Sequence, residues 1–176
     1  LKAHLVAEAH GKCVYCESRI THVYFGDVEH IKPKAHFPEE RLAVDNLVYA
    51  CAICNGAKGD YWDHAIPLLN PYGDDPQEHM LALGFFYVRR PNGIRARITI
   101  EKLQLNRQAL LERRRERIEL LQPLVDQFLG APLGPLKDLL REELLRQADV
   151  STEYAMVTRA YLESVCGREL REVPAA

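Results

Sequence analysis

The chain has 176 residues, of which 47% are hydrophobic, which is enough to form one packed domain or a small module with a helical extension. The formal net charge is only −2, and no run of about 18 uncharged apolar residues occurs, which argues against a membrane-spanning helix. The first residues mix charged and apolar positions and lack the apolar core of a secretory signal, so we expect a cytoplasmic protein without a membrane partner.

The N-terminal part begins with a predicted helix. Apolar residues recur at helical spacing in LKAHLVAEAHG, and Gly11 suits a C-terminal cap, so a short helix is expected to lead to Cys13. Two pairs of cysteines follow. After them the stretch AIPLLNPYGDDPQEH contains three prolines and a glycine, which predicts a connector without long regular structure.

The C-terminal half is predicted to be a hairpin followed by helices. Aromatic and β-branched residues flank an Asn-Gly turn, which predicts a hairpin from about Phe85 to Ile100. From Leu103 to Leu129 the apolar positions recur every three or four residues, which predicts a long amphipathic helix with a kink at Pro123. The stretch GAPLGP then ends this helix, and two further helices are predicted near 135–148 and 152–166.

Basic residues are concentrated in residues 89–117, which carry ten Lys or Arg and three Asp or Glu, whereas the flanking regions are acidic. Such a segment suits contact with a polyanion, and it is equally compatible with a solvated helix face that carries Glu–Arg pairs. On the first interpretation, nucleic-acid contacts are expected from four arginines of the predicted long helix, namely Arg113, Arg114, Arg115 and Arg117.

Four of the five cysteines form two Cys-x-x-Cys pairs, a spacing that favours metal over disulfides in a cytosolic chain. Thioredoxin-like redox chemistry is the alternative for one pair, but the presence of two pairs disfavours it. Four thiolates satisfy the tetrahedral coordination of zinc and leave no open position. The sequence therefore predicts one structural Zn²⁺ held by Cys13, Cys16, Cys51 and Cys54, and the fifth, Cys166, is expected to be a buried apolar residue.

The two pairs are separated by 34 residues, more than the roughly 15–20 of a plain two-knuckle zinc site. The intervening segment contains the Glu29-His30 pair and Asn46, and Asn55 and Lys58 follow the last cysteine. From about Lys12 to Gly59, this ordered set resembles the HNH endonuclease family, whose ββα-metal core is braced in many members by a four-cysteine zinc. The stretches CESRI, EHIKPK, NLVYACAICNGAKGD, LLNPYGDDP and IEKLQLNR also resemble the HNH proteins of bacterial antiphage systems, the Septu and retron-associated type.

The resemblance implies hydrolysis of phosphodiester bonds in DNA, and the residue types suit this chemistry. His30 would be the general base for water, because histidine titrates near physiological pH. Glu29 and Asn55 would offer oxygen ligands to one catalytic divalent cation, Mg²⁺ or Mn²⁺. Asn46 would, as in the family, brace the loop and orient His30. Lys58 lies one helical turn after Asn55 and would meet a phosphate on the same face.

The sequence departs from the commonest family pattern in two ways, since Glu29 stands where Asp is frequent and Asn55 stands where the final His is usual. Both replacements keep an oxygen ligand, so activity is expected while the metal preference is open. Each candidate also has a structural alternative, because Asn is common at helix caps and turns and a lone His is often a hydrogen-bonded strand residue. Four nearby residues are assigned to structure or surface, namely Asp27, His36, Asp60 and His64.

The predicted fold is therefore α+β, with a zinc-braced ββα-metal core and connector in residues 1–79 and a β-hairpin with a helical extension in residues 80–176, packed as one unit. The predicted function is that of a metal-dependent HNH endonuclease acting on DNA, as the effector of an antiphage system with an ATPase subunit as a partner. A catalytically inactive, zinc-braced module that binds nucleic acid or protein is the alternative. A binding module does not need oxygen ligands beside a histidine, which favours the enzyme. Cleavage of RNA stays open.

Overall fold

A computed structural model of the chain describes residues 1–20 and 25–171, without the side chain of Arg168. The first helix, α1, spans Lys2–Glu8, which agrees with the predicted helix. Its C-cap is Ala9, and Gly11, the predicted cap, lies two residues further on with a φ of +71°. The chain then forms the first knuckle, Cys13–Cys16, which a bridge between Lys12 and Arg19 closes. No helix in the described ranges is long and apolar enough to cross a membrane.

Two short antiparallel strands and a helix follow the first knuckle. Strand β1, Asp27–His30, pairs with β2, Leu47–Ala50, so that Glu29 lies opposite Val48 and His30 opposite Leu47. All four residues of β2 are buried, which anchors this hairpin in the core. Helix α2, Ala52–Lys58, begins inside the second knuckle, Cys51–Cys54, and contacts β1. The segment between the strands contains two 3₁₀ turns, Pro38–Glu40 and Val44–Asn46.

The predicted hairpin from Phe85 to Ile100 is wrong in its position. The second hairpin lies earlier, with β3 at Met80–Leu83 and β4 at Phe86–Arg89, after a one-turn helix α3 at Pro76–His79. The Asn-Gly pair instead precedes helix α4, Ile94–Lys102. A Cβ atom on Gly93 would lie 2.3 Å from the carbonyl oxygen of His79, so this turn requires glycine.

In the sequence, Arg95 and Arg97 alternate with Ile94, Ala96 and Ile98, a pattern that is also typical of a strand. The buried positions of this segment are Ala96, Thr99 and Leu103, and their spacing of three and four residues is that of a helix. The predicted long helix consequently begins later than expected. Helix α5 spans Gln108–Gly130 and contains Pro123, while α6 spans Pro135–Gln147 and α7 spans Ala155–Arg171.

The described residues bury two hydrophobic clusters. The first combines residues of the knuckles and β2 with residues from α4, α5 and the start of α7, among them Leu103, Leu110 and Val157. The second lies between α5, α6 and α7 and includes Phe128 and Cys166, so the expected burial of Cys166 is confirmed. An α+β fold with small hairpins and a helical C-terminal part is thus confirmed, and the helical part shares a core with the knuckles.

Candidate active site and metal centre

The four paired cysteines form one cluster. The Sγ atoms of Cys13, Cys16, Cys51 and Cys54 all lie within 4.8 Å of one another, and those of Cys16 and Cys51 are 3.9 Å apart. A tetrahedral site with Zn–S bonds of about 2.3 Å places its sulfur atoms roughly 3.8 Å from one another. The cluster is therefore compatible with zinc, as the spacing of the cysteines predicted.

Hydrogen bonds within the cluster distribute its protons unevenly. The bond with Cys13 lowers the pKa of Cys16 well below its ordinary value and the pKa of Cys51 to about 7. Burial raises the pKa of Cys13, and for Cys54 the lowering by Cys13 is outweighed by the bonds with Cys16 and Cys51, so its pKa is also raised. Arg107, the residue before α5, donates from Nη1 to Cys54 Sγ at 3.6 Å. Burial lowers the pKa of Arg107, but the Cys54 and Cys16 thiolates raise it more, so its net shift is upward. Arg107 thus offsets part of the negative charge of the sulfur cluster.

The first knuckle is also tied to distant elements through Glu17, which adopts a left-handed φ of +62°. The Glu17 carboxylate accepts a hydrogen bond from the Tyr87 hydroxyl at 3.1 Å and from the backbone N–H of Met156 at 3.2 Å. Nearby, the Lys12 ammonium donates to the carbonyl oxygens of Val150 and Thr152. The knuckle therefore contacts both the second hairpin and the loop before α7.

An open pocket of about 460 Å³ lies where β1 meets α2, and we call it the active-site pocket. Three of the predicted site residues line it, Glu29, His30 and Asn55. The end of β1 supplies the first two, and the first turns of α2 supply the third. Its rim is formed by the loop after β1 and the loop after α2, through Pro33, Lys34, Ala35, Gly59 and Asp60.

His30 has one ring nitrogen engaged with the backbone. Its Nε2 lies 3.0 Å from the carbonyl oxygen of Arg41. A carbonyl can only accept a hydrogen bond, so Nε2 carries the proton in the neutral ring and the lone pair belongs to Nδ1. This tautomer is the one in which Nδ1 can accept a proton from a water molecule.

Asn46 braces the loop that carries His30. It is buried, its Oδ1 accepts from the backbone N–H of Lys32 at 2.7 Å, and its Nδ2 donates to the carbonyl oxygens of Lys32 and Glu40 at 3.1 and 3.3 Å. The backbone N–H of Ile31 also donates to the Asn46 carbonyl oxygen at 2.9 Å. These bonds hold the chain directly after His30 against the 3₁₀ turns between the strands.

Lys58 is not on the protein surface, which contradicts the expectation that it contacts phosphate. Its side chain is only 2% exposed, and its ammonium donates to Glu29 Oε1 and to the carbonyl oxygen of His30, both at 2.7 Å. Because α2 packs against β1, the last turn of the helix points this lysine into the interior. Lys58 therefore holds Glu29 and the backbone of His30 in place.

Asn55 is oriented by Asp27, a residue that the sequence interpretation had assigned to structure or surface. Asn55 Nδ2 donates to Asp27 Oδ2 at 3.0 Å, so the amide oxygen is directed away from that carboxylate. Asp27 and Glu29 lie two residues apart on β1 and therefore face the same side of the strand. That spacing was the sequence signal that could have identified Asp27.

The donor atoms of Glu29 and Asn55 are of the type that suits a hard divalent cation. Within the described residues, Glu29 Oε2 and Asn55 Oδ1 accept no hydrogen bond, while Glu29 Oε1 and Asn55 Nδ2 are engaged. One carboxylate oxygen and one amide oxygen leave the remaining positions to water and phosphate, which is the coordination that Mg²⁺ favours. The donor set therefore suits a magnesium-like ion better than a soft metal.

The four arginines predicted to contact nucleic acid occupy different environments. Arg114 is fully buried, and its guanidinium carbon lies 3.8 Å from the centre of the Tyr87 ring, so it cannot belong to a basic surface. Arg117 is half-buried and donates to Gln147 and Thr158. Arg113 and Arg115 are exposed and form ion pairs with glutamates on their own helix.

Comparison with known proteins points to the segment of the chain that contains the active-site pocket. Residues 13–61 match the HNH endonuclease family. This range contains both knuckles, β1, β2 and α2, and hence every residue of the active-site pocket. No solved structure matches the chain.

Two similar proteins are both named Septu protein PtuB. The one from Bacillus thuringiensis is 33% identical over 107 residues, which cover 60% of this chain and 41% of that protein. The one from Bacillus mycoides (strain KBAB4) is 29% identical, with 40% of this chain and 34% of that protein covered. The chain thus spans about two fifths or less of the length of these relatives.

Proposed function

Residues 13–61 are an HNH endonuclease domain, and from this premise we propose that the protein is a metal-dependent endonuclease that hydrolyses phosphodiester bonds in DNA. The observation that carries the proposal is the active-site pocket, where His30 lies beside one acidic and one amide side chain at the junction of β1 and α2. A general base beside two oxygen ligands is the minimum that water activation and charge stabilisation on a phosphate require.

In the proposed mechanism His30 is the general base. Nδ1 accepts a proton from a water molecule, whose oxygen attacks phosphorus, and the electron pair of the P–O3′ bond leaves with the 3′ oxygen, which then takes a proton from solvent. The hydrogen bond from Nε2 to the Arg41 carbonyl stabilises the protonated ring. Asn46 acts as a positioning residue, because it fixes the backbone that follows His30.

Glu29 and Asn55 would hold the catalytic Mg²⁺ or Mn²⁺ through Oε2 and Oδ1. When bound, this ion supplies positive charge against the phosphate and the departing oxygen. Lys58 holds the Glu29 carboxylate in place, and Asp27 keeps the amide oxygen of Asn55 facing the pocket. Both are positioning residues in this scheme. The four-cysteine cluster would hold a structural zinc that closes the loop carrying β1.

Lys34 is the lysine that we assign to phosphate binding in place of the buried Lys58. It is exposed at the rim of the active-site pocket, between the end of β1 and the first 3₁₀ turn. Lys32, two residues earlier, is instead paired with Glu40 at 2.7 Å and lies near the Phe37 ring. Of the two lysines in this loop, Lys34 therefore lies at the pocket, whereas Lys32 forms an ion pair within the loop.

The similarity to Septu protein PtuB supports a role as the nuclease of an antiphage system. As part of the same proposal, we place the protein in the cytoplasm with an ATPase subunit as a partner. The alternative function, a zinc-braced binding module without catalysis, predicts DNA binding without cleavage. Purified zinc-loaded protein incubated with supercoiled plasmid and Mn²⁺, Mg²⁺ or EDTA distinguishes the two. Nicking or linearisation that requires the metal and is lost in His30→Ala supports the nuclease, whereas an intact plasmid in every sample supports the binding module.

A further inference from the structure

A second open depression of about 460 Å³ lies beside the active-site pocket, and we call it the arginine groove. It is bordered by the chain after the first knuckle, the start of α2 and the first turns of α5. Three arginines line it, Arg19, Arg107 and Arg113, together with the apolar side chains of Ile53 and Leu110. The sequence does not predict that Arg19 lies near Arg107 and Arg113, because it is far from both in the chain.

The charges of the groove favour an anionic ligand. Glu153 is the acidic residue among the lining side chains, and its carboxylate accepts from the backbone N–H of Arg19 at 2.7 Å. Arg107 is directed at Cys54 Sγ and offsets negative charge of the sulfur cluster below the groove. Arg19 and Arg113 are exposed and present their guanidinium groups to the solvent side.

The groove and the active-site pocket meet at the start of α2. Ala52 lines both depressions, with Asn55 one turn of α2 further on in the pocket. One helical turn rises about 5.4 Å, whereas a duplex strand carries one phosphate per about 3.4 Å of helix axis, so such a step corresponds to one or two nucleotides. A strand that leaves the pocket past Ala52 would therefore bring phosphates near the scissile one toward the groove.

We infer that the arginine groove binds the phosphate backbone of the nucleic-acid strand that is cut, with Arg19 and Arg113 contacting phosphates next to the scissile one. This inference rests on the proposed function and extends it by naming the substrate-binding surface. The ion pair of Arg113 with Glu116 does not prevent this role, because an exposed pair at 2.9 Å is weak and exchanges readily for a phosphate.

Arg113 and Arg115 form a matched pair for the test. Both lie on α5, both side chains are more than half exposed, and each has a glutamate partner on the same helix, Glu116 and Glu119. Only Arg113 belongs to the groove lining. Arg113→Glu and Arg115→Glu thus change the net charge of the protein and of α5 by the same amount. Only Arg113→Glu changes a residue that lines the groove.

The experiment measures binding of a fluorescein-labelled DNA duplex by anisotropy, with zinc-loaded protein and no added Mg²⁺ or Mn²⁺, over a series of salt concentrations. We expect Arg113→Glu and Arg19→Glu to weaken binding and each to reduce the slope of log affinity against log salt by about 0.9, while Arg115→Glu follows the wild type. Circular dichroism of each variant checks that the fold is retained.

Cleavage of the same duplex with Mn²⁺ is measured in parallel, so that the two proposals can fail separately. If DNA binding depends on Arg113 but the protein cuts no DNA, the phosphate-binding role of the arginine groove is supported and the proposed nuclease activity is wrong. If the protein cuts DNA in a metal-dependent manner while Arg113→Glu and Arg115→Glu bind DNA equally well, the role of the arginine groove is wrong and the nuclease activity is supported. Absence of DNA binding by the wild type also overturns the groove.

Discussion

The Lys58 ammonium and the Glu29 carboxylate form a buried ion pair at 2.7 Å, and the same ammonium holds the carbonyl oxygen of the next residue, His30. One lysine of α2 therefore fixes two consecutive residues of β1. Removing it would leave Glu29 as an unpaired buried charge, which costs on the order of 3–5 kcal/mol in folding free energy.

The first prediction follows from this pair. Lys58→Met should lower the free energy of unfolding of zinc-loaded protein by about 3 kcal/mol or more, and Glu29→Gln combined with Lys58→Met should recover part of the loss, because no buried charge is then unpaired. Urea denaturation of both single variants and the double variant measures the coupling. A Lys58→Met protein that is as stable as wild type but binds DNA poorly would show that Lys58 contacts phosphate after all.

The second prediction concerns the cysteine cluster. Natively purified protein should contain one zinc per chain, and Cys51→Ser should lose it and the folded core, since structural zinc contributes on the order of 10 kcal/mol of apparent binding free energy. Cys166→Ser is the matched control, because it also replaces a buried thiol, but in the second cluster. Elemental analysis and circular dichroism test this. Zinc-free protein with a native spectrum is the contrary result.

The third prediction separates the general base from the cation ligands. His30→Ala should reduce the cleavage rate by about 10²- to 10⁴-fold while Mn²⁺ affinity stays near that of wild type. Glu29→Gln should weaken Mn²⁺ binding as well as cleavage, because a charged oxygen ligand is lost. Calorimetric titration of zinc-loaded variants with Mn²⁺ gives the comparison. If His30→Ala lost the ion and Glu29→Gln kept it, the two roles would be exchanged.

The fourth prediction tests Asp27 as the residue that orients Asn55. Asp27→Ala should lower Mn²⁺ affinity by about 10- to 100-fold, the usual effect of removing an outer hydrogen-bond partner of a metal ligand. Asp27→Asn should restore much of this loss, because its amide oxygen can still accept from Asn55 Nδ2. Equal Mn²⁺ affinity in wild type and Asp27→Ala would show that Asn55 needs no such partner.

The fifth prediction compares two lysines of one loop. Lys34→Gln should raise KM for DNA and reduce the salt slope of DNA binding by about 0.9, since a phosphate contact is lost. Lys32→Gln should leave both quantities near wild type, because Lys32 does not line the active-site pocket and its ammonium is paired with Glu40. Steady-state cleavage of a labelled duplex and anisotropy titrations provide the measurements. An effect of the same size in both variants would indicate a general charge effect of the loop.

The sequence was most informative where the signal is local. The Cys-x-x-Cys spacing led directly to the sulfur cluster, and the Gly and Pro residues around 130–135 marked the break between α5 and α6. The Asn-Gly pair was misleading, because a turn before a helix and a turn between strands use the same residues, and only the burial of Ala96 and Leu103 distinguishes them.

The positions of individual charges could not be predicted, because they depend on which elements pack together. Consecutive residues on a helix point about 100° apart, so within a run of arginines Arg114 is buried against Tyr87 while Arg113 and Arg115 are exposed. In the same way, burial of Lys58 results from the contact of α2 with β1, which the composition of either element does not specify.

The hydrogen bonds of Glu17 have a consequence for synthesis of the protein. The Met156 N–H that donates to this carboxylate lies 139 residues later in the chain. The first knuckle therefore leaves the ribosome long before its partner has been synthesised. A contact of such long sequence separation also requires closure of a long loop, whose entropy cost precedes the gain from the contact. The knuckle that supports β1 therefore acquires its final packing only after α7 has been made, and a nascent chain that stops before α7 carries the active-site pocket on a knuckle that lacks this contact.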